Sequence, residues 1–93
     1  MAQRSTWPHT ATFTRSYHRS ATTSVITQSL QQEVGEIADA RGQASIEQTE
    51  TQLIISVEAA DLTALRAGIN TWLRLVTVAE SVHALGDTIS DNP

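Results

Sequence analysis

Residues 61–85, DLTALRAGINTWLRLVTVAESVHAL, constrain the fold more than any other stretch. They hold no proline and one glycine, Gly68, and their apolar residues recur at helical spacing, so one long helix is predicted. At about 100° per residue, Leu62, Leu65, Ile69, Trp72, Leu73 and Val76 fall on one stripe, which is what a helix offers to a sheet face. Arg66, Asn70 and Arg74 form a polar stripe beside it with Thr63, Thr77 and Ser81. Leu75, Val78, Val82 and Leu85 make a second apolar strip, confined to the C-terminal half. One sheet cannot cover both strips, so a second partner surface is expected, from this chain or from another.

Ninety-three residues predict a single domain with a thin core, of a size that association commonly stabilises. Without cysteine there is no disulfide framework, thiol chemistry or thiolate metal site. The opening MAQRSTWPHT lacks the apolar run of a signal peptide, and no run approaches the roughly 20 apolar residues of a membrane helix. A soluble, cytoplasmic protein is expected. Ten acidic residues face six basic ones, all arginine. A lysine-free surface with excess carboxylate suits a salt-rich cytoplasm; compositional drift in a short GC-rich gene is the alternative. The mean field repels a nucleic-acid backbone, so RNA contact would need a local arginine cluster or a partner's surface.

In chain order, residues 1–8 read as a loose arm. From His9 to Tyr17 the sequence alternates, Ala11 and Phe13 on one face and Thr10, Thr12 and Thr14 on the other, which predicts a strand. Ser20 is expected to cap a helix from Ala21 to Val34 with Val25, Ile26, Ser29 and Leu30 facing inward. Gly35 is expected to close that helix in a left-handed conformation before the acidic loop Glu36–Asp39, with Ile37 folded back over the helix end. Arg41–Gln48 and Gln52–Ala59 read as a hairpin turning at Thr49, Glu50 and Thr51. Asp61 suits the N-cap of the long helix, Gly86 its C-cap, and residues 86–93 read as a flexible acidic tail beyond a 9–85 domain. The predicted fold is α+β, βαββα, a three-stranded antiparallel sheet with the last strand in the middle and two helices on one face. Two open edges make strand pairing between copies a ready route to a homodimer.

No residue set forms an active site, and no cofactor or metal ion is expected. His9, His18 and His83 lie on separate elements, no two share a helical face, and no nucleophile stands at a diagnostic spacing. The glycines are isolated, so no phosphate loop is available. Two readings of the Arg66, Asn70 and Arg74 stripe stand side by side. The arginines bury their stems over a sheet edge and bond to carboxylates such as Glu58, or they meet a partner's acidic surface or an RNA phosphate. Trp72 reads as a core residue at the stripe's border or an interface anchor. Gly68, costly inside a helix, predicts close approach of another element.

Asp61-Leu62-Thr63-Ala64-Leu65-Arg66-Ala67-Gly68-Ile69-Asn70-Thr71-Trp72-Leu73-Arg74-Leu75 resembles the segment that marks the Pcc family, the smallest core subunits of the archaeal and eukaryotic KEOPS complex. The family pattern is an alternating strand, an acidic residue, LxALRAxxNxxLR and a mostly apolar helix end; the likeness runs from Leu53 to about Val82. Upstream, Ser29, Leu30 and Glu33 fit the family's SLxxE, and Arg41 fits the arginine that opens its second strand. Gly42 and Gln32 depart from the family's usual serine and proline, which touches loop geometry. The lysine-free acidic composition is similar to that of a haloarchaeal member.

The resemblance implies a non-catalytic role. It implies a βαββα homodimer whose helices dock on the catalytic subunit, the protein that transfers a threonylcarbamoyl group to the adenosine beside the tRNA anticodon. It also implies help in holding that assembly together and in binding tRNA. Carried onto this chain, Leu75, Val78, Val82 and Leu85, assisted by Val25, become the expected partner contacts, and Arg66, Asn70 and Arg74 the polar rim or tRNA contacts. A free-standing small RNA-binding module is the alternative.

Overall fold

The computed structural model describes residues 7–91, with side chains through residue 85. Most of the expected N-terminal arm and the end of the expected tail lie outside the described residues. Five elements follow in order: β1 His9–Ser16, α1 Ser20–Ile37, β2 Gly42–Gln48, β3 Gln52–Ala59 and α2 Leu62–Asp91. The sheet order is β1-β3-β2, antiparallel throughout, so the βαββα order and the central last strand are as the sequence predicts.

Alternation builds the sheet. Leu53, Ile55, Val57 and Ala59 of β3 are buried on one face, and Ala11, Phe13, Ala44 and Ile46 join them there from the edge strands. Apart from Ile54, polar residues take the other face: Thr12 and Ser56, paired in register, share a 3.1 Å hydroxyl hydrogen bond, and Gln43 donates to its register partner Glu58 at 2.9 Å. Helix α1 packs mainly over β2 and α2 mainly over β3. Ile26, Leu30, Leu53, Ile55, Trp72 and Val76 form the heart of the resulting core. Trp72 is only 2% exposed, which settles it as a core residue.

Helix α1 corrects the sequence reading in three places. Ser20 is already helical, and the capping position is Arg19, with no side-chain cap bond. Its carbonyl instead accepts both the N–H and the Oγ1 hydroxyl of Thr23, each at 3.2 Å. The buried stripe is Thr23, Ile26, Thr27 and Leu30; Val25 and Ser29 are exposed. The buried face thus takes Thr23 and Thr27 in place of Val25 and Ser29. At the other end the helix runs through Gly35 to Ile37, and no described glycine has a positive φ. Ile37 packs on the core, and holding that side chain offsets the roughly 1 kcal/mol that a helical glycine costs. Asp39 then closes the loop, its Oδ1 accepting the N–H groups of Arg41 and Gly42 at 2.8 and 3.1 Å.

Asp61 caps α2 as expected: its Oδ1 accepts the N–H of Ala64 at 2.7 Å and its carbonyl accepts that of Leu65 at 3.0 Å. Arg41 Nη2 reaches the other carboxylate oxygen at 2.6 Å. Gly86 does not stop the helix, whose backbone continues to Asp91; no proline interrupts it before Pro93. Gly68 meets the expected close approach, since a Cβ there would stand 2.7 Å from Val57 Cγ1. Leu62 and Leu73, predicted to face the sheet, are 63% and 39% exposed. The sheet centres on the Leu65, Trp72 and Val76 line, and Leu62 and Leu73 flank that line.

Candidate partner-binding face

The second apolar strip of α2 stays uncovered. Helix α1 lies beside α2, and between them runs a shallow groove of about 270 Å³, walled by Val25, Ser29 and Glu33 on one side and Leu75, Val78 and Val82 on the other. Leu30 and Ala79 form part of its lining. Val78 and Val82 are 56% and 63% exposed, far more than isolated apolar side chains of a packed helix pair require. Leu75 is half-buried and bridges the strip to the core. Thus four expected contacts, Val25, Leu75, Val78 and Val82, share one groove, while Leu85 is exposed beyond it. Glu33 and His83 supply its polar rim.

The polar stripe of α2 separates from this groove. Arg66 and Asn70 line a recess with Leu62, Leu65 and Ile69, and Arg74 stands exposed on the same outer surface. Glu58 bonds to Gln43, and neither Arg66 nor Arg74 forms an ion pair with a described residue. The guanidinium groups of this stripe therefore remain exposed to solvent.

Sequence reasoning missed a polar cluster on the opposite flank. Arg15 donates to Glu80 twice, Nε to Oε2 at 3.1 Å and Nη2 to Oε1 at 2.6 Å, and the Tyr17 hydroxyl donates to Oε2 at 2.6 Å. The Arg15 hydrogen bonds, with help from Tyr17, hold the Glu80 carboxyl below its usual range. Partial burial, then the hydrogen bond to Glu80 and its charge, push the Tyr17 hydroxyl well above its usual value. Glu80 is separated from Arg15 by 65 positions and from Tyr17 by 63, so no local spacing signals the cluster. A second depression, also about 270 Å³, lies on the β2 side of α2 between Arg41, Gln43, Thr63, Ala67, Thr71 and Trp72.

Among the described residues no three His, Asp or Glu side chains converge as metal ligands, and no helix is long and apolar enough to cross a membrane. His9 is half-buried at the start of β1, His18 is exposed, and His83 lines the α1/α2 groove.

No curated protein matches the chain in a sequence comparison. The pattern of one family, described as Transcription factor Pcc1, matches residues 10–83, from the second residue of β1 to the far end of the groove. That span takes in all three strands, α1 and the part of α2 that rests on the sheet, and so the chain belongs to the Pcc1 family.

Proposed function

We propose that this chain is a non-catalytic dimerisation and scaffold subunit of a tRNA-modifying assembly, the KEOPS complex. It docks the catalytic, threonylcarbamoyl-transferring subunit in the α1/α2 groove. The observation that carries this reading is the groove itself: Val25, Leu75, Val78 and Val82, drawn from two helices, form one continuous apolar surface that the fold leaves uncovered. An amphipathic helix of the partner is the element such a groove accepts. Leu85 extends the contact along the helix, and Arg66, Asn70 and Arg74 serve as polar rim or tRNA contacts.

A homodimer completes the assembly. The β1 edge is the better candidate for pairing, because α1 lies over β2 and the exposed Leu62 and Leu73 stand on the α2 flank. Pairing β1 with β1 of a second copy would extend the sheet and bring those leucines toward their counterparts. The setting we infer is cytoplasmic, and the lysine-free surface of net charge −4 fits a salt-rich, haloarchaeal interior.

Arg66 and Arg74, without ion-pair partners among described residues, favour one second reading: a free-standing RNA-binding module. It predicts binding by the isolated chain that weakens steeply as salt rises. The family's title offers a transcription factor instead; the outer face of α2, with two arginines and no lysine, gives little support for duplex binding.

The test is the paired substitution Val78→Glu with Val82→Glu. Both side chains are more than half exposed, so the fold and the dimer should survive while affinity for the catalytic subunit, measured by titration calorimetry, falls at least 100-fold, about 3 kcal/mol. Unchanged affinity would remove the groove from the interface.

A further inference from the structure

Glu80 stands where α2 leaves the sheet. The Asp61 cap starts the helix at the Ala59 end of β3. From Leu62 to Glu80 the helix rises about 27 Å at roughly 1.5 Å per residue, close to the length of the eight-residue β3 at about 3.3 Å per residue. The contacts agree with that geometry. Arg15 is the register partner of Leu53 at the opposite end of β3, and Tyr17, just past β1, donates its N–H to the Thr51 carbonyl at 2.7 Å. The rest of α2, as far as Asp91, extends beyond that point.

Two side chains, Arg15 and Tyr17, engage both oxygens of Glu80. A single ammonium would hold the carboxylate at a point; a planar guanidinium fork, with a hydroxyl on one of the same oxygens, also restricts its orientation. Arg15 and Glu80 side chains are 42% and 25% exposed, too open for the pair to add much stability. What such a pair provides is direction. Within one turn of Glu80 lie Ala79, Val82 and His83, which line the α1/α2 groove opposite Val25, Ser29 and Glu33. Any roll of α2 at Glu80 therefore changes the separation of the groove walls.

We propose that Arg15, Tyr17 and Glu80 form a positioning clasp that fixes the roll and direction of α2 where it leaves the sheet, and so the width of the α1/α2 groove. The consequence for docking rests on the scaffold reading above; the clasp itself does not. A preset groove spares a partner the cost of ordering it, so the clasp favours binding without touching the partner.

The chain has no native cysteine, so spin labels report single introduced positions. Labels at Gln28→Cys and Ser81→Cys measure α1 against α2 beside the clasp, and labels at Gln28→Cys and Thr63→Cys measure α1 against the start of α2. Glu80→Gln and Arg15→Gln should each broaden the first distance distribution and leave the second unchanged, and the exchanged pair Arg15→Glu with Glu80→Arg should narrow the first again. Equal broadening of both distances would show general loosening, and no change in either would show that packing alone directs α2; each result overturns the clasp. In parallel, affinity for the catalytic subunit should fall several-fold in Glu80→Gln and return in the exchanged pair. If the parent chain itself fails to bind that subunit, the scaffold reading falls while the distance measurements still decide the clasp.

Discussion

Gly68 illustrates how one side chain sets the distance between layers. Replacing it with alanine gains about 1 kcal/mol of helix propensity but drives a methyl group to 2.7 Å from Val57 Cγ1, inside a buried, stiff side chain. Overpacking of this kind costs about 1–3 kcal/mol, so Gly68→Ala should be destabilising in denaturant unfolding. Combined with Val57→Ala, the two losses should sum to less than their separate values; strict additivity would mean that the residues do not press on each other. Thr27 presents the reverse case. Its Oγ1 is buried with no hydrogen-bond partner among the described residues, and Thr27→Val replaces that hydroxyl with a methyl group of similar shape. A gain of about 1 kcal/mol is expected, and a loss would show that the hydroxyl has a partner in solution. The purpose of Gly68 was legible in sequence because a glycine inside a long helix has few other motives. Thr27 gave no such signal, since threonine reads as polar until its neighbours are known.

At the scale of elements, the strands and the start of α2 could be read locally, because alternation and the Asp61 cap are properties of adjacent residues. The face of α1 could not. Thr23 and Thr27 are buried there beside Ile26 and Leu30, and only the position of β2 beneath them decides this. The groove residues Val78 and Val82 were legible for the opposite reason: helical projection places them too far from the Trp72 and Val76 line for one sheet to cover. The clasp joins elements more than 60 positions apart and left no trace in the local pattern. It also predicts a pH response. Glu80 titrates below its ordinary value of 4.5, so its stabilisation is present above the unfolded-state value and is lost as pH falls through the folded one. Tyr17 works the other way: its value is raised, so its neutral hydroxyl contributes below its ordinary 10.0 and loses that contribution only when pH rises through the folded value. Denaturant unfolding between about pH 5 and about pH 3 should show a steeper loss in the parent chain than in Glu80→Gln. Parallel profiles would mean that the Glu80 carboxylate gains nothing from folding.

The described molecule measures 52 × 28 × 18 Å, long because α2 outruns the sheet. Its most exposed large apolar residues are those of the α1/α2 groove, Leu85 beyond it, and Leu62 and Leu73 on the α2 flank. Under the proposed function the groove serves the catalytic subunit and the Leu62 and Leu73 flank serves another copy of the chain. Leu62→Glu with Leu73→Glu should therefore yield a folded monomer by light scattering, and a dimer that persists would move the dimer interface elsewhere. Because these two surfaces do not share residues, dimer loss and partner loss should be separable by substitution. The most direct test of the scaffold account is size-exclusion chromatography with light scattering at molar salt, on the chain alone and mixed with the catalytic subunit of the same organism. The account predicts a dimer that moves into a stoichiometric complex with that subunit. A chain that elutes unchanged in the mixture would contradict it and place the RNA-binding reading first.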